Sequence, residues 1–273
     1  MNFHVVSLFP EMILSGLKEG VVASAINKKI ISIECVNPRK FASDVHHTVD
    51  DRPYGGGDGM IMLSEPIEKS IAHFLELEPA AEIIYLSARG EVFDDRIAKE
   101  LAKKPNLILI CGRYGGVDQR VLLKNNVREI SIGDYILSGG EFAALVLIDA
   151  TTRQLPGVLG NESSAALDSF ADGLLEPPSF SRARVWEGLE VPAVLLSGDH
   201  KKIKEWREAL SILSTIQSRE DLFKRKKLPL KVLQDSRKCF KSMQPTELKL
   251  CGLLDKARIE QILDDAISVL ERK

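Results

Sequence analysis

Residues 111–141, CGRYGGVDQRVLLKNNVREISIGDYILSGGE, predict how the first part of this chain folds. An apolar run ends at Cys111 and meets a glycine-rich turn at residues 112–116. A second apolar run, residues 127–132, meets the loop at residues 133–140. Ligands of open α/β sheets bind outside the carboxyl ends of the strands, where two such loops can form one pocket. The stretch therefore predicts a parallel sheet with a ligand site at the carboxyl ends of its strands.

The composition is typical of a soluble globular protein. With 273 residues, 44% hydrophobic and 28% charged, the chain is long enough for one large domain or two ordinary ones, and disordered and fibrous classes are excluded. No apolar run approaches the roughly 20 residues of a membrane span. The apolar start stops at Pro10 without a basic flank, so no signal peptide is expected. The four cysteines lack disulfide or zinc-ligand spacing, which predicts a cytoplasmic protein without a metal site.

Positive charge is concentrated late in the chain. The net charge is -2, yet residues 201–250 contain 14 Lys and Arg against 6 Asp and Glu. This excess is a candidate surface for a polyanion. Its densest run, residues 224–227, is equally compatible with an ordinary solvated face.

Apolar strands alternate with helices up to residue 155. The predicted strands cover residues 2–9, 30–36, 82–87, 106–111 and 127–132. The predicted helices cover residues 20–28, 64–77 with Ser64 as N-cap, 94–104, 117–124 and 141–155. Strands that are apolar throughout imply a parallel sheet covered on both faces, so the predicted fold class is α/β. The last of these helices is apolar on most sides and is expected in the core or in a subunit interface.

Two polar segments interrupt this pattern. Residues 44–60 have no period, and a structureless loop of that length in a compact domain is usually functional or mobile. Residues 161–173 are small, polar and acidic, as a flexible linker would be. Beyond them, helices are predicted at residues 199–216 and 255–270. The predicted domains are therefore residues 1–160 and a helical second domain at residues 174–273.

The glycine loops do not match phosphate-binding motifs. The chain has no GxxxxGK(S/T) and no GxGxxG after its first strand. Lys and Arg are scarce in the loops apart from Arg89 and Arg113. Apolar walls are available from Tyr85, Leu86, Tyr135, Ile136 and Leu137. The favoured ligand is therefore a flat heterocycle without phosphates, bound through backbone groups.

Seven strings, in the same order along the chain, resemble a known family. They are TVDDRPYGGGDGM at residues 48–60, IYLSARG at 84–90, CGRYGGVDQRV at 111–121, SIGDYILSGGE at 131–141, LPGVLGNESS at 155–164, DSFADGLLEPP at 168–178 and VPAVLLSGDHKKIKEWR at 191–207. By these motifs the chain resembles the bacterial tRNA (guanine-N1)-methyltransferase family TrmD, of the SPOUT class. The C-terminal region beyond them is similar only in being helical.

The resemblance implies a SPOUT-type parallel sheet whose C-terminal part forms a trefoil knot, followed by a small all-helical domain that binds tRNA. The methyl donor S-adenosylmethionine is then expected within the knot loops. By match to the family motifs, its binding residues are Tyr85, Leu86, Ser87, Gly112, Tyr114, Gly116, Ile132, Gly133, Asp134, Tyr135, Ile136, Leu137, Gly139 and Gly140. The resemblance also implies a homodimer with the active site at the subunit interface.

The implied reaction is methylation of N1 of the guanosine that follows the anticodon on its 3′ side, position 37 of tRNA. Guanine N1 carries a proton at neutral pH, so a base must remove it while a cation holds the charge that grows on O6. By match to the motifs, Asp168 is the base and Arg153 the partner of O6. The linker is expected to order over the target base. Contacts with tRNA are expected from His46, Asp50 and Arg52.

Three positions depart from the family pattern. Gly115 stands where many members have Glu, Asp58 where Pro is common, and Ala143 where Pro is often found. The acid missing at residue 115 is the one expected near the donor or a Mg2+ ion. Of the properties that the resemblance implies, a Mg2+ cofactor is therefore the one that this sequence supports least.

Other interpretations of the same residues remain open at this point. Without the resemblance, Asp168 is most simply a helix N-cap, and Arg153 is a charge at a helix C-terminus. A different SPOUT enzyme, acting on ribosomal RNA or on a ribose 2′-hydroxyl, is one alternative function. An RNA-binding module with a vestigial pocket is another.

Overall fold

The computed structural model describes residues 1–160 and 168–272. The chain divides into two compact units, Met1–Glu162 and Ser163–Lys273. The linker predicted at residues 161–173 begins outside the described residues, so the structure describes only residues 168–173 of it. None of the described helices combines the length and the apolar character that crossing a bilayer requires.

The first unit is built around a parallel sheet of five strands. Its strands are β1 (Asn2–Val6), β2 (Ser32–Val36), β3 (Asp50–Asp51), β4 (Ile61–Met62), β5 (Glu82–Val92), β6 (Asn106–Cys111) and β7 (Arg128–Ser131). The parallel sheet has the order β2-β1-β6-β5-β7, and β3 pairs with β4 in a separate antiparallel ribbon. The prediction of an α/β fold with a parallel sheet is confirmed.

The central strand β6 is buried at every position. Leu107, Leu109 and Cys111 belong to one apolar cluster, and Ile108 and Ile110 belong to another. Alternate side chains of a strand point to opposite faces, so the two clusters are the two covered faces of the sheet. This is why the strand reads as a continuous apolar run.

Helices of the first unit connect the strands. They are α1 (Pro10–Gly16), α2 (Gly20–Asn27), α3 (Ser64–Leu77), α4 (Asp95–Leu101), α5 (Gln119–Lys124) and α6 (Glu141–Thr152), with a 3-10 turn at Pro38–Phe41. The helix predicted at residues 141–155 is α6. Its Ala144, Leu147 and Ile148 lie in the core, whereas Phe142 and Val146 are exposed.

Several local predictions differ from the structure. The strand predicted at residues 2–9 ends at Val6, because Pro10 opens α1, a helix that the sequence analysis missed. Ser64 is the first residue of α3 and not its N-cap, since Leu63 holds that position without a side-chain hydrogen bond. The loop predicted at residues 44–60 contains β3 and is therefore not wholly without structure.

Strand β5 runs beyond its predicted end at Ser87. It continues to Val92, and its pairing with β7 shifts register between Leu86 and Glu91. A Cβ on Gly90 would lie 2.4 Å from the carbonyl carbon of Glu129, so the chain passes too close to β7 for a side chain there. The irregularity directs the residues after Leu86 out of the ladder, next to the candidate site.

The second unit combines a short ribbon with helices. It contains β8 (Val185–Trp186), β9 (Leu189–Glu190), α7 (Ala193–Leu196), α8 (His200–Ser218), α9 (Glu220–Arg225), α10 (Leu230–Ser242), α11 (Pro245–Leu250) and α12 (Lys256–Glu271). The ribbon departs from the all-helical expectation. Helices α8, α10 and α12 bury Leu213, Phe240 and Leu263 in one core. The predicted helices at residues 199–216 and 255–270 correspond to α8 and α12.

Candidate active site

A pocket of about 800 Å³ lies in the first unit, at the carboxyl ends of β6 and β7 and beside the register shift of β5. Three loops form its walls: residues 86–89, 112–120 and 131–140. Every residue predicted to bind the cofactor lines this glycine-loop pocket except Asp134. The three loops therefore share one cavity, as residues 111–141 indicate.

The first wall is the turn after β6. The N–H of Gly115 donates to the carbonyl of Met60 at 2.8 Å, and the N–H of Met62 donates to the carbonyl of Gly116 at 2.9 Å. These bonds fix the turn against β4. Tyr114 and Gly116 adopt left-handed backbone conformations, with φ of 57° and 115°.

Tyr85 stands behind this turn as an apolar wall. A Cβ on Gly112 would lie 2.7 Å from the hydroxyl of Tyr85, so only glycine lets the turn approach the ring this closely. Burial raises the pKa of the Tyr85 phenol, which therefore stays neutral near pH 7.

The turn after β6 and the loop before α6 touch along their backbones. The N–H of Gly140 donates to the carbonyl of Gly112 at 2.9 Å. A Cβ on Gly140 would lie 2.7 Å from the Cα of Cys111, a distance that Cβ atoms do not tolerate. Glycine at residue 140 is thus required by close packing and not by an unusual φ.

A buried ion pair supports the loop from below. The carboxylate of Glu141 is fully buried, lies 2.9 Å from the guanidinium of Arg113, and accepts a hydrogen bond from the Ser7 hydroxyl at 2.7 Å. The guanidinium also donates to the carbonyl of Ser138 at 3.1 Å and lies 4.4 Å from the ring centre of Phe9. The Arg113–Glu141 pair therefore links the end of β1 to the loop that closes the pocket.

The arginines that line the pocket are all paired with acids. Arg89 lies 3.7 Å from Glu129, Arg113 lies 2.9 Å from Glu141, and Arg120 lies 2.5 Å from Asp118. Hydrogen bonds from Arg120 lower the pKa of Asp118, so that carboxylate stays charged. With its cations neutralised, the pocket offers backbone groups and apolar walls, which suit an adenosyl group and not a triphosphate.

Apolar side chains at the pocket mouth stand in solvent. Tyr135 is 55% exposed, Ile136 84% and Leu137 37%, and together they border the opening. Tyr54 is 97% exposed and also lines the pocket, a residue that the sequence analysis missed. Its position two residues after Arg52, in the loop already expected to be functional, was the signal that could have identified it.

Gly115 leaves one wall without an acid. Among residues 1–160 and 168–272, no group of three or more His, Cys, Asp or Glu side chains is placed to hold a metal ion. A Cβ on Gly115 would lie 3.0 Å from the carbonyl of Met60, so a Glu there would require a small shift of the turn. The described residues thus give no support to a magnesium site.

The two candidate catalytic residues belong to different units. Arg153 is the C-cap of α6 and half-buried. Asp168 is half-buried in the second unit, where its carbonyl accepts the N–H of Ala171 at 3.2 Å in a turn. Since no helix starts at Asp168, its interpretation as a helix N-cap is wrong.

The residues predicted to contact tRNA lie outside the pocket. His46 and Arg52 are exposed, and Asp50 is half-buried in β3. Asp44 orders the start of this loop, because its carboxylate accepts hydrogen bonds from the N–H of His46 and from Thr48. The Thr48 hydroxyl and N–H hold the pKa of Asp44 below its usual value.

The fold and the pocket define a parallel α/β protein that is suited to bind an uncharged heterocycle between glycine loops. The chain belongs to the tRNA (Guanine-1)-methyltransferase TrmD family, whose model matches residues 1–225. It is 48% identical over 222 residues to a tRNA (guanine-N(1)-)-methyltransferase of Desulfatibacillum aliphaticivorans, which covers 81% of this chain and 85% of that protein. It is 50% identical over 224 residues to the protein of the same name from Carboxydothermus hydrogenoformans, covering 82% and 88%. For the Geobacter metallireducens protein of that name, identity is 46% over 225 residues, covering 82% and 92%.

Proposed function

We propose that this protein methylates N1 of the guanosine at position 37 of tRNA, 3′ of the anticodon, with S-adenosylmethionine as methyl donor. The observation that supports it most is the neutral glycine-loop pocket in a chain of the TrmD family. The same family membership supports a cytoplasmic location, where tRNA is modified.

The proposed chemistry needs two side chains beyond the pocket. S-adenosylmethionine supplies an electrophilic methyl group. The Asp168 carboxylate accepts the proton of guanine N1, which frees the nitrogen lone pair for attack. The Arg153 guanidinium donates hydrogen bonds to O6 as negative charge grows there. The pocket walls hold the donor's adenosine and keep water away from the reacting atoms.

We further propose that the loops of the pocket form a trefoil knot. The support is the close crossing of two loops distant in sequence, where the N–H of Gly140 bonds the carbonyl of Gly112. We propose three parts in the chain: residues 1–160 bind the donor, residues 161–173 form a flexible linker, and residues 174–273 bind tRNA.

A homodimer is part of the proposal, with donor from one subunit and target base placed by the other. The support is a set of exposed apolar side chains on the first unit. Phe9 is 48% exposed, Phe142 51% and Val146 47%. Phe142 and Val146 are four residues apart on α6 and therefore share one face of the helix. Exposed large apolar side chains that adjoin one another are typical of protein interfaces.

Contacts with tRNA are assigned to both units. In the first unit the proposed contacts are His46, Asp50 and Arg52. In the second unit, exposed cations without an ion pair among the described residues include Lys204, Arg207, Lys227, Lys231, Lys238 and Lys249. Cations that are not neutralised by neighbouring acids release counterions on binding RNA, so tRNA affinity should fall as salt rises.

The test is transfer of labelled methyl to two unmodified tRNAs that differ only in G or A at position 37. We expect 1-methylguanosine from the first and no product from the second, with nucleoside mass analysis identifying the methylated atom. A methylated ribose, or equal transfer to both tRNAs, would contradict the assignment.

Asp168→Ala should reduce transfer by about 100-fold or more while calorimetry gives unchanged donor binding. Absence of donor binding by the wild type would instead favour an RNA-binding module.

A further inference from the structure

The segment that carries Asp168 is attached to the helices of the second unit by contacts that the proposed reaction does not yet explain. Residues 168–176, here termed the Asp168 turn, begin with the candidate base. We propose that Ser211, Thr215 and Lys226 are positioning residues, which hold the turn so that the Asp168 carboxylate can reach guanine N1. This inference rests on the proposed function of Asp168.

The Asp168 turn is compact and closed on itself. The N–H of Phe170 donates to the carbonyl of Leu174 at 2.7 Å, and the N–H of Glu176 donates to the hydroxyl of Ser169 at 3.0 Å. Both bonds cross from the Asp168 side of the turn to its far side. A movement of the far side therefore moves the backbone next to Asp168.

The turn also contains a conformation that needs support from outside. Phe170 has a φ of 74°, in the left-handed region, although it is not glycine. A residue held in this region costs about 1–3 kcal/mol and persists only where the surroundings fix it. Phe170 is 42% exposed, so its own side chain supplies little of that fixation.

One helix, α8, supplies a double attachment. The N–H of Leu175 donates to the hydroxyl of Thr215 at 2.9 Å, and the hydroxyl of Ser211 donates to the carbonyl of Leu175 at 2.5 Å. The hydroxyl of Thr215 in turn donates to the carbonyl of Ser211 at 2.7 Å. Both polar groups of one residue of the turn are thus bonded to two side chains one helical turn apart.

A second attachment comes from beyond α9. The ammonium of Lys226 donates to the carbonyl of Asp172 and lies 3.8 Å from its carboxylate. Between the two attachments, Leu174 is only 5% exposed and inserts into the core of the second unit. The far side of the turn is therefore fixed at residues 172, 174 and 175, all of them on the C-terminal side of Asp168.

The position of the Asp168 carboxylate must be fixed, because the rate of proton removal depends on its distance to the substrate. A general base must stand within hydrogen-bond reach of the proton that it removes. A displacement of about 1 Å caused by a change away from the reacting atoms can reduce the rate by about 100-fold. The hydroxyls of Ser211 and Thr215 lie in the second unit's own helix, so removing them leaves the glycine-loop pocket unchanged.

The experiment compares Ser211→Ala/Thr215→Val, Lys226→Gln and Thr215→Ser with the control Ser214→Ala. Ser214 lies on the same helix, is half-buried and forms no hydrogen bond to the described residues of the turn. Measurements are kcat with saturating tRNA and donor, KM for tRNA, and donor affinity by calorimetry. We expect kcat to fall about 10- to 100-fold in the double variant and less in Lys226→Gln. KM and donor affinity should change by less than about twofold, and Thr215→Ser should retain the wild-type rate.

The possible failures are distinguishable. If the double variant and Lys226→Gln keep wild-type kcat while Asp168→Asn is inactive, the positioning role is refuted and the proposed base stands. If Asp168→Asn keeps full activity, the proposed base itself is refuted. A double variant that no longer folds, detected by loss of the buried Trp206 fluorescence, leaves Lys226→Gln to decide. Its side chain is 32% exposed, and unchanged kcat there would overturn the inference.

Discussion

The glycine-loop pocket and the Asp168 turn are stabilised by different kinds of contact. In the pocket, an ion pair with a fully buried Glu141 carboxylate and backbone contacts without space for a Cβ fix the loops. In the turn, two hydroxyls and one lysine hold a half-exposed segment. The buried Glu141 charge and the close glycine packing leave the pocket loops few alternative conformations. Each neutral hydrogen bond, by contrast, contributes only about 0.5–1.5 kcal/mol to stability. The pocket is thus preformed, and the candidate base lies on a segment whose support can be removed stepwise.

The two units can be followed separately in solution. Both tryptophans, Trp186 and Trp206, lie in the second unit, and all four tyrosines lie in the first. Fluorescence of the buried Trp206 therefore reports unfolding of the second unit, and the tyrosine signal in near-UV circular dichroism reports the first. A substitution that destabilises one unit should therefore change one of these signals and leave the other unchanged.

The largest effect is expected from Glu141→Ala. The substitution leaves the Arg113 guanidinium, whose side chain is 17% exposed, without its acid. Removing one partner of a buried pair costs about 3–5 kcal/mol. Urea unfolding followed by the tyrosine signal should show this loss, with the Trp206 transition unchanged. The control is Glu65→Ala, which breaks the exposed pair with Lys69 and should cost less than about 1 kcal/mol. Equal losses in the two variants would show that the pair is not a special support of the pocket.

The next effect concerns donor affinity and is tested by Gly139→Ala. A Cβ at this position would lie 2.2 Å from Nε of Arg113 and 2.5 Å from a carboxylate oxygen of Glu141. Withdrawal of either side chain would disturb the Arg113–Glu141 ion pair. We expect overpacking of about 1–3 kcal/mol and donor binding weaker by about tenfold or more, measured by calorimetry. Gly160→Ala is the control, because none of the residues that the structure describes lies within 4 Å of its added Cβ. Unchanged donor affinity in Gly139→Ala would mean that the loop adapts.

The sequence predicted more of the glycine-loop pocket than of the Asp168 turn. The apolar run at β6 and the glycine loops were sufficient to predict the parallel sheet and a pocket between its loops, whereas the full set of cofactor-binding residues came from the resemblance. The Arg113–Glu141 pair was not predicted, since a Glu in the first turn of a helix normally faces solvent and its burial depends on Ser7, more than a hundred residues earlier. The end of β5 was misplaced because Arg89 and Gly90 have the composition of a turn.

The attachments of the Asp168 turn had no sequence signal at all. Ser211 and Thr215 are ordinary polar residues inside an amphipathic helix, and the bonds that they form to Leu175 bridge about forty residues. Hydrogen bonds of such separation depend on tertiary packing, which periodicity does not encode. The catalytic assignments of Asp168 and Arg153 came only from resemblance and stay predictions.

A smaller effect should follow from Leu174→Ala, which removes the apolar attachment of the turn. Leu174 is 5% exposed in the core of the second unit, so we expect a loss of about 2–3 kcal/mol in the Trp206 transition. The tyrosine transition should stay in place. Leu189→Ala, at a 52% exposed position of the same unit, should change neither signal. If Leu174→Ala leaves the Trp206 transition unchanged, the turn is not packed against the core in solution.

The smallest effect is a pH dependence of the first unit that originates from His4. Burial lowers the pKa of His4, opposed by the charges of Glu34 and Glu78, and His73 lowers it further. Neither ring nitrogen has a hydrogen-bond partner among the described residues, and Nδ1 lies 3.8 Å from Glu34. With the folded pKa below the unfolded value of 6.5, the unfolded chain binds more protons in acid. The His4 contribution is therefore complete above about pH 6.5 and is lost as the pH falls, by at most about 1.4 kcal/mol per pH unit. His4→Asn should reduce the pH dependence of the unfolding free energy between about pH 7 and 5, as followed by the tyrosine signal. The control is His46→Gln, at an exposed position, which should leave that pH dependence unchanged. A slope unaffected by His4→Asn would assign the pH dependence to other groups.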